Sequence, residues 1–162
     1  HDDQRDLAEW YGLPYHHLPL EPGKKPQQEA RILALFEETH SELLVLARYM
    51  QVLTPHACET LAGRAINIHH SFLPGFKGAR PYYQAYDRGV KLIGATAHYI
   101  TTDLDEGPII EQDVVRVDHT MKPRELERLG QDVESTVLNR AVRWHAQHRV
   151  FANGNRTVVL RH

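Results

Sequence analysis

Two side chains suited to acyl chemistry stand two residues apart, at Asn67 and His69. They alternate with Ile66 and Ile68, and this pattern predicts a β-strand with the polar pair on one face. An amide donor beside an imidazole can stabilise a carbonyl oxygen that becomes negative in a transition state, and the imidazole can exchange a proton near neutral pH. The same pair could equally be a hydrogen-bonded Asn and His at the end of a strand.

A carboxylate that could assist this pair occurs at Asp105, in a turn indicated by Gly107-Pro108 and seven residues after His98. Aspartate in such a turn often binds only its own backbone. Alternatively, a buried carboxylate beside His69 would orient the imidazole and favour its charged form. These residues alone leave both interpretations open.

Composition limits the possible functions. The 162 residues include 19 Lys+Arg and 21 Asp+Glu, a formal net charge of −2, which gives no electrostatic reason to expect a nucleic acid or an anionic membrane as partner. The single cysteine, Cys58, cannot form an internal disulfide, and no signal pattern precedes the first apolar residues. We therefore expect a cytoplasmic globular protein, and the start at His1 indicates a processed or truncated product.

The 12 histidines raise the question of a metal site, but the spacings typical of zinc ligands are missing from the sequence. The adjacent pairs His16-His17 and His69-His70 are expected to point to opposite faces of a strand. We therefore predict no metal. The charged residues at 124, 125, 127 and 128 are predicted to form a solvated helix face.

Short apolar runs alternate with helical patterns, which predicts an α/β fold with a mostly parallel sheet and flanking helices. Predicted strands cover 15–20, 42–47, 65–70, 91–100, 108–117 and 157–160, with 42–47 covered on both faces. Predicted helices cover 4–12, 26–39 and 55–61, together with a long helix near the end of the chain. The stretch 71–89, rich in Gly and Pro, is predicted to be mostly loop.

Three finer predictions concern helix faces and turns. In the helix 26–39, Ala30, Leu33 and Phe36 are expected to face the interior. Asn153-Gly154 predicts a hairpin turn. The last helix is expected to have Thr120 as its N-cap and to carry an apolar stripe formed by Leu126, Leu129, Val133, Val137, Ala141 and Trp144.

The stretch 67–112 resembles the folate-dependent formyltransferase family over its whole length. It reads NIHHSFLPGFKGARPYYQAYDRGVKLIGATAHYITTDLDEGPIIEQ. The family pattern is Asn-x-His, Ser-x-Leu-Pro, a glycine-bearing loop, Gly-x-Thr-x-His and an Asp-x-Gly-Pro-Ile-Ile turn, and each part occurs here in order. The resemblance implies a Rossmann-like formyltransferase fold, a catalytic trio of Asn67, His69 and Asp105, and a supporting role for His98.

Within the family, the resemblance is greatest to the members that hydrolyse 10-formyltetrahydrofolate to formate and tetrahydrofolate. The stretches 69–71, 78–82, 95–99 and 150–157 carry this likeness, whereas Tyr83 stands where those hydrolases would have His. The implied role is to supply formate for purine synthesis and to balance one-carbon pools. Two alternatives are transfer of the formyl group to an amine such as glycinamide ribonucleotide, and a folate-binding module without turnover.

The segment 46–53 is similar to the family segment that holds the pteridine ring, although alone it could be a strand end with Met50 and Leu53 in the core. The resemblance implies that the substrate is a folate, that no separate cofactor is needed and that the complete enzyme is a homo-oligomer. It also implies that 1–162 is part of a catalytic domain, without that domain's first strand-helix-strand and without an ACT-type domain. Expected substrate-binding residues are Tyr49, Met50, Gln51, Val52, Leu53, His98 and Asp103.

Overall fold

The computed structural model describes residues 2–71 and 80–161, and the chain divides into two compact units, His1–Glu42 and Leu43–His162. The helices are α1 (Arg5–Trp10), α2 (Lys25–Glu38), α3 (Pro55–Thr60), α4 (Pro81–Asp87) and α5 (Pro123–Ala146). The strands are β1 (Leu44–Leu46), β2 (Ala65–His69), β3 (Leu92–Tyr99), β4 (Ile109–Arg116), β5 (Val150–Asn153) and β6 (Arg156–Val159). In the described part of the chain, none of the helices combines the length and apolar composition that a bilayer crossing requires.

The first unit contains α1 and α2. Phe36 of α2 is buried as predicted, but Ala30 is exposed and Glu29 is buried in its place, with its carboxylate 3.4 Å from the ammonium group of Lys25. The strand predicted for 15–20 is wrong. The described residues of this unit form no strand with which that segment could pair, and an isolated extended segment is not stable.

The second unit contains a four-stranded sheet in the order β1-β2-β3-β4. The predicted α/β class is confirmed, but the sheet is mixed and not mostly parallel: β1 pairs with β2 in parallel, whereas β2–β3 and β3–β4 are antiparallel. For β3 and β4 the physical reason is their short connection, which reverses the chain without a crossover helix. Val45 of β1 is exposed. The prediction that this strand is covered on both faces is therefore wrong.

Helix α5 packs against the sheet and forms the main core. Its residues Val137 and Ala141 contact Ile66 and Ile68 of β2 and small residues of β3 within one buried cluster. The predicted stripe is confirmed, because all six of its members are buried or pack against buried clusters. The N-cap, however, is Lys122 and not Thr120; the Lys122 amide donates to the Glu125 carboxylate at 2.7 Å.

The stretch predicted to be mostly loop contains a helix. Residues 72–79, which include the Ser-x-Leu-Pro motif after its first residue, lie outside the described residues, but 81–87 form α4. Pro81 stands in the first turn of α4, where a missing N–H is tolerated, and Tyr82 and Ala85 are buried on one face. The density of Gly and Pro around this segment hid its helical spacing. The hairpin predicted at Asn153-Gly154 is confirmed by the pairing of β5 with β6.

The turn between β3 and β4 closes tightly around Gly107. The Tyr99 amide donates to the Pro108 carbonyl at 3.0 Å, and the pairing of β3 with β4 shifts register between Ala97 and His98. A Cβ at position 107 would lie 1.7 Å from the Tyr99 carbonyl oxygen and 3.2 Å from Nδ1 of His98. Only glycine fits at this point, because the closest neighbour is backbone that cannot rotate away.

Gly107→Ala should therefore lower the free energy of unfolding by about 3 kcal/mol or more, since overpacking against rigid backbone forces the turn open. Urea unfolding followed by circular dichroism measures the change. Glu106→Ala is the matched control, because Glu106 is the exposed neighbour in the same turn. Equal stability of the two variants would contradict the close packing around Gly107.

Helices α4 and α5 are joined by a buried tyrosine. The Tyr82 hydroxyl donates a short hydrogen bond of 2.5 Å to the Glu134 carboxylate, and the Tyr82 ring lies where a Cβ on Gly130 would fall, 2.1 Å away. Burial raises the pKa of Tyr82, and the hydrogen bond and negative charge of Glu134 raise this pKa further. The folded protein thus favours the neutral phenol.

Because the unfolded chain ionises Tyr82 at its ordinary pKa of ~10 while the folded protein does not, stability should fall as the pH rises above ~10. Tyr82→Phe should reduce this alkaline loss of stability, measured as the free energy of unfolding between pH 8 and about 11. Tyr86 is an exposed tyrosine of the same helix, so Tyr86→Phe serves as the control and should leave the alkaline loss of stability unchanged. If the free energy of unfolding of wild type and of Tyr82→Phe fell equally with rising pH, the raised pKa of Tyr82 would be contradicted.

Candidate active site

The pairing of β2 with β3 gathers four polar residues on one face of the sheet. In the antiparallel register Asn67 lies opposite His98, and His69 lies opposite Thr96. Residues directly opposite on neighbouring strands share a face. Ile66 and Ile68 of β2 belong to the core cluster under α5, so the alternation predicted from the sequence is confirmed.

Hydrogen bonds define the state of His98, which is 2% exposed. Its Nδ1 lies 2.8 Å from the Tyr99 carbonyl oxygen, which can only accept, so Nδ1 carries the hydrogen. Its Nε2 lies 3.3 Å from Nδ2 of Asn67, which can only donate, so Nε2 accepts. A neutral His98 therefore holds one hydrogen of the Asn67 amide and leaves the second hydrogen for another acceptor.

Asp105 stands between the two buried histidines. One carboxylate oxygen, Oδ2, lies 3.3 Å from Nδ1 of His69, and the other, Oδ1, lies 3.7 Å from Nε2 of His98. The Asp105 side chain is only 12% exposed. The structure therefore selects the second of the two sequence interpretations: the carboxylate is directed at His69 and away from its own turn.

Thr96 holds the chain in place just after His69. The Thr96 hydroxyl donates to the Ser71 carbonyl at 3.0 Å and accepts from the Gln112 amide at 2.9 Å. Thr96 is completely buried, so this contact connects the exit of β2 to both β3 and β4. The backbone that carries His69 is thus fixed on both sides.

Asn67, His69, His98 and Asp105 line a cavity of about 540 Å³, the size of a small-molecule site. The irregular segment between β1 and α3 forms one side of the cavity, where Met50 is 65% exposed and offers an apolar surface. The structure brings together every site residue predicted from the sequence. All of these residues line the cavity: Tyr49, Met50, Gln51, Val52, Leu53, Asn67, His69, His98, Asp103 and Asp105.

The cavity also contains residues that sequence analysis missed. Glu127 was predicted to belong to a solvated face, but it lines the cavity together with Glu134, which stands two helical turns further along α5. Their separation of seven residues on one helix face, with Gly130 between them, was the available signal. Other residues missed on the cavity wall are His70, Arg80 and Tyr82.

Backbone strain is concentrated at this cavity. Five non-glycine residues in the described part of the chain have a left-handed backbone, and three of them, Arg48, Arg80 and Asp105, line the cavity. Such conformations cost free energy and tend to persist at functional sites. At Asp105, with φ +59, this conformation is what places the carboxylate beside His69.

His70 does not point away from His69, as predicted for neighbours on a strand. Because β2 ends at His69, the next residue leaves the extended conformation, and the two rings stack with centroids 4.7 Å apart and an interplanar angle of 22°. Burial lowers the pKa of His70, while the negative charges of Glu134 and Asp105 oppose this shift. In residues 2–71 and 80–161, no three His, Cys, Asp or Glu side chains are grouped so as to hold a metal ion.

Comparison with known proteins gives the chain a family. Its residues 7–142 match the family described as formyl transferase. A relative from Corynebacterium sp. (strain P-1), a formyltetrahydrofolate deformylase, is 59% identical over 161 residues, which are 99% of this chain and 56% of that protein. The chain thus spans about half the length of the curated relatives that it matches.

Solved structures agree with this family. A formyltetrahydrofolate deformylase from Burkholderia mallei superposes with a TM-score of 0.93 and 60% identity, covering 99% of this chain and 57% of that one. Glycinamide ribonucleotide transformylase 1 from Symbiobacterium toebii superposes with a TM-score of 0.86 and 30% identity, covering 96% of this chain and 74% of that one. The four-stranded sheet with its flanking helices is the formyltransferase fold, and the chain belongs to the formyl transferase family.

Proposed function

We propose that this chain carries the active site of an enzyme that hydrolyses 10-formyltetrahydrofolate to formate and tetrahydrofolate. The observation that carries the proposal is the placement of Asn67, His69 and Asp105 together, on the wall of a cavity large enough for a folate. Relatives and structures that are about 60% identical to the chain are formyltetrahydrofolate deformylases, which favours water as the acceptor of the formyl group.

The folate is proposed to lie along the segment after β1. Met50, Val52 and Leu53 offer apolar contacts, and the irregular backbone of this segment has donors and acceptors not committed to a strand. A flat heterocycle with several ring nitrogens needs this combination of an apolar slot and backbone hydrogen bonds. Tyr49, Gln51 and Asp103 complete the proposed binding surface.

In the proposed reaction, the free hydrogen of the Asn67 amide binds the formyl oxygen as it becomes negative. His69 stabilises the same oxyanion and supplies a proton to N10 as the C–N10 bond breaks. Asp105 orients His69 through Nδ1 and accepts a proton from the attacking water. His98 does not contact the reactants in this scheme; it holds the Asn67 amide in the donating orientation. No cofactor is required, because the formyl amide is an activated acyl donor.

Transfer of the formyl group to an amine is the second candidate, because a glycinamide ribonucleotide transformylase shares the fold at 30% identity. A folate-binding module without turnover is the third. Incubating the protein with 10-formyltetrahydrofolate, with and without glycinamide ribonucleotide, separates the three. Hydrolysis gives formate in both mixtures, transfer gives the formylated amine, and the third candidate gives binding alone.

The wider setting of this activity is also a proposal. Formate released from the folate would supply purine synthesis and help to balance one-carbon pools. The sequence predicts a cytoplasmic homo-oligomer with no nucleic-acid partner, and these features stay predictions. Sedimentation of the full-length protein measures its oligomeric state.

Asp105→Asn should lower the rate of formate release by ~10²–10⁴, the usual contribution of a positioned acid or base. The shape is retained, because asparagine tolerates the left-handed backbone at this position. Formate release and folate binding are measured together in the full-length protein. Glu106→Gln, an exposed neighbour, is the control, and near-normal turnover by Asp105→Asn would remove this carboxylate from the mechanism.

Formate release should survive prolonged treatment with a chelator. The reason is the absence of metal-ligand spacing in the sequence, together with a trio that can perform the reaction without a Lewis acid. The assay compares the rate before and after dialysis against EDTA, with a known zinc hydrolase treated in parallel. Activity that disappears on dialysis and returns with added zinc would contradict this expectation.

A further inference from the structure

The structure presents a second imidazole to the cavity beside His69. His70 lines the cavity, and its ring stacks on that of His69 with centroids 4.7 Å apart. The Thr96 hydroxyl, bound to the Ser71 carbonyl, fixes the backbone immediately after His70. The stacked arrangement is therefore held from both ends, by β2 before it and by β3 after it.

The groups that face His70 define its charge. Glu134 from α5 and Asp105 from the turn after β3 favour the charged ring, and burial of the half-buried side chain outweighs them, so the pKa of His70 lies below its ordinary value. The third neighbour, His69 of β2, contacts the flat face of the ring. At neutral pH His70 is thus an uncharged imidazole with one N–H and one lone pair.

One nitrogen of this ring is left without a hydrogen bond in the part of the chain that the structure describes. Nε2 of His70 is buried, and within the described residues it has no hydrogen-bond partner. The Glu134 carboxylate, by contrast, already accepts a hydrogen bond from the Tyr82 hydroxyl. Buried ring nitrogens are normally paired with protein or with water. The His70 ring lines the cavity that also holds the Asp105 carboxylate, so a molecule bound to the ring from the cavity would lie close to that carboxylate.

We propose that His70 holds the water molecule that attacks the formyl carbon and thereby directs the formyl group to water. This inference rests on the proposed function. The water oxygen forms a bond to the formyl carbon, one water proton passes to Asp105, and the C–N10 bond breaks as N10 gains a proton through His69. The products are tetrahydrofolate, formate and one released proton. His70 itself neither gains nor loses a proton overall; it positions the nucleophile.

The decisive measurement is competition between water and a second nucleophile. Hydroxylamine, added to the full-length protein with 10-formyltetrahydrofolate, can take the formyl group in place of water and needs no water-binding residue. His70→Phe keeps a flat ring against His69 but has no nitrogen, whereas His70→Gln keeps a hydrogen-bonding group and loses the ring. His119→Phe is the matched control, because His119 is exposed and does not line the cavity.

We expect His70→Phe to lower kcat for formate release about 10²-fold, the cost of a misplaced reactant, with KM unchanged. Transfer to hydroxylamine should be retained, so the product ratio shifts from formate to the formyl hydroxamate. His70→Gln should recover part of the hydrolysis. Folate binding by each variant, measured by fluorescence, shows that the site is folded.

Two results would overturn the inference while leaving the proposed function intact. The first is unchanged formate release by His70→Phe. The second is an equal loss of hydrolysis and of transfer to hydroxylamine in this variant, which would assign His70 a packing role. If the wild-type protein releases no formate, the proposed function fails and this inference fails with it.

Discussion

A carboxylate buried between two imidazole rings is the constraint on which the rest of the site depends. An ionised Asp105 that is only 12% exposed would be unfavourable by several kcal/mol without partners. The compensating polar contact comes from Nδ1 of His69 at 3.3 Å, whereas the lone pair on Nε2 of His98 accepts from the Asn67 amide. Removing the His69 ring would leave the carboxylate without this partner, so His69 and Asp105 form one unit. The positions of these two residues are therefore tied to each other.

The fold supplies that unit with rigid support. His69 and His98 lie on neighbouring strands whose register also fixes Asn67, and Asp105 reaches them only because the β3–β4 turn is compressed around Gly107. The register shift between Ala97 and His98 lies at the same point, and such irregularities redirect side chains near functional sites. Sites carried by strands are more rigid than sites on loops, which suits the proposed role of these groups in holding a reacting carbon in place.

The sequence predicted those features of the site that depend on local periodicity. The alternation around Ile66 and Ile68 correctly placed Asn67 and His69 on one face, and the spacing on α5 correctly identified its buried stripe. What it could not predict depends on contacts between distant segments. The antiparallel pairing of β2 with β3, the approach of Glu134 to Tyr82 across 52 residues and the turn of His70 onto His69 are set by packing, which leaves no short-range pattern. Helix α4 was missed for a different reason. Proline usually indicates the end of a helix, but Pro81 lies in the first turn of α4, where proline is tolerated.

The two sides of the cavity differ in a way that matches two different tasks. The side that carries Asn67, His69 and Asp105 is mostly buried and cross-linked by polar contacts, so little rearrangement would be needed as charge develops on a reactant. The opposite side, from Arg48 to Leu53, is irregular backbone with exposed Met50 and Val52. Such a segment can adapt its apolar side chains to a flat ligand, because a flexible thioether fills irregular space well. Rigidity is thus concentrated where bonds would change, and adaptability where a ring system would be recognised. The left-handed backbone at Arg48 and Asp105 marks each of these two sides.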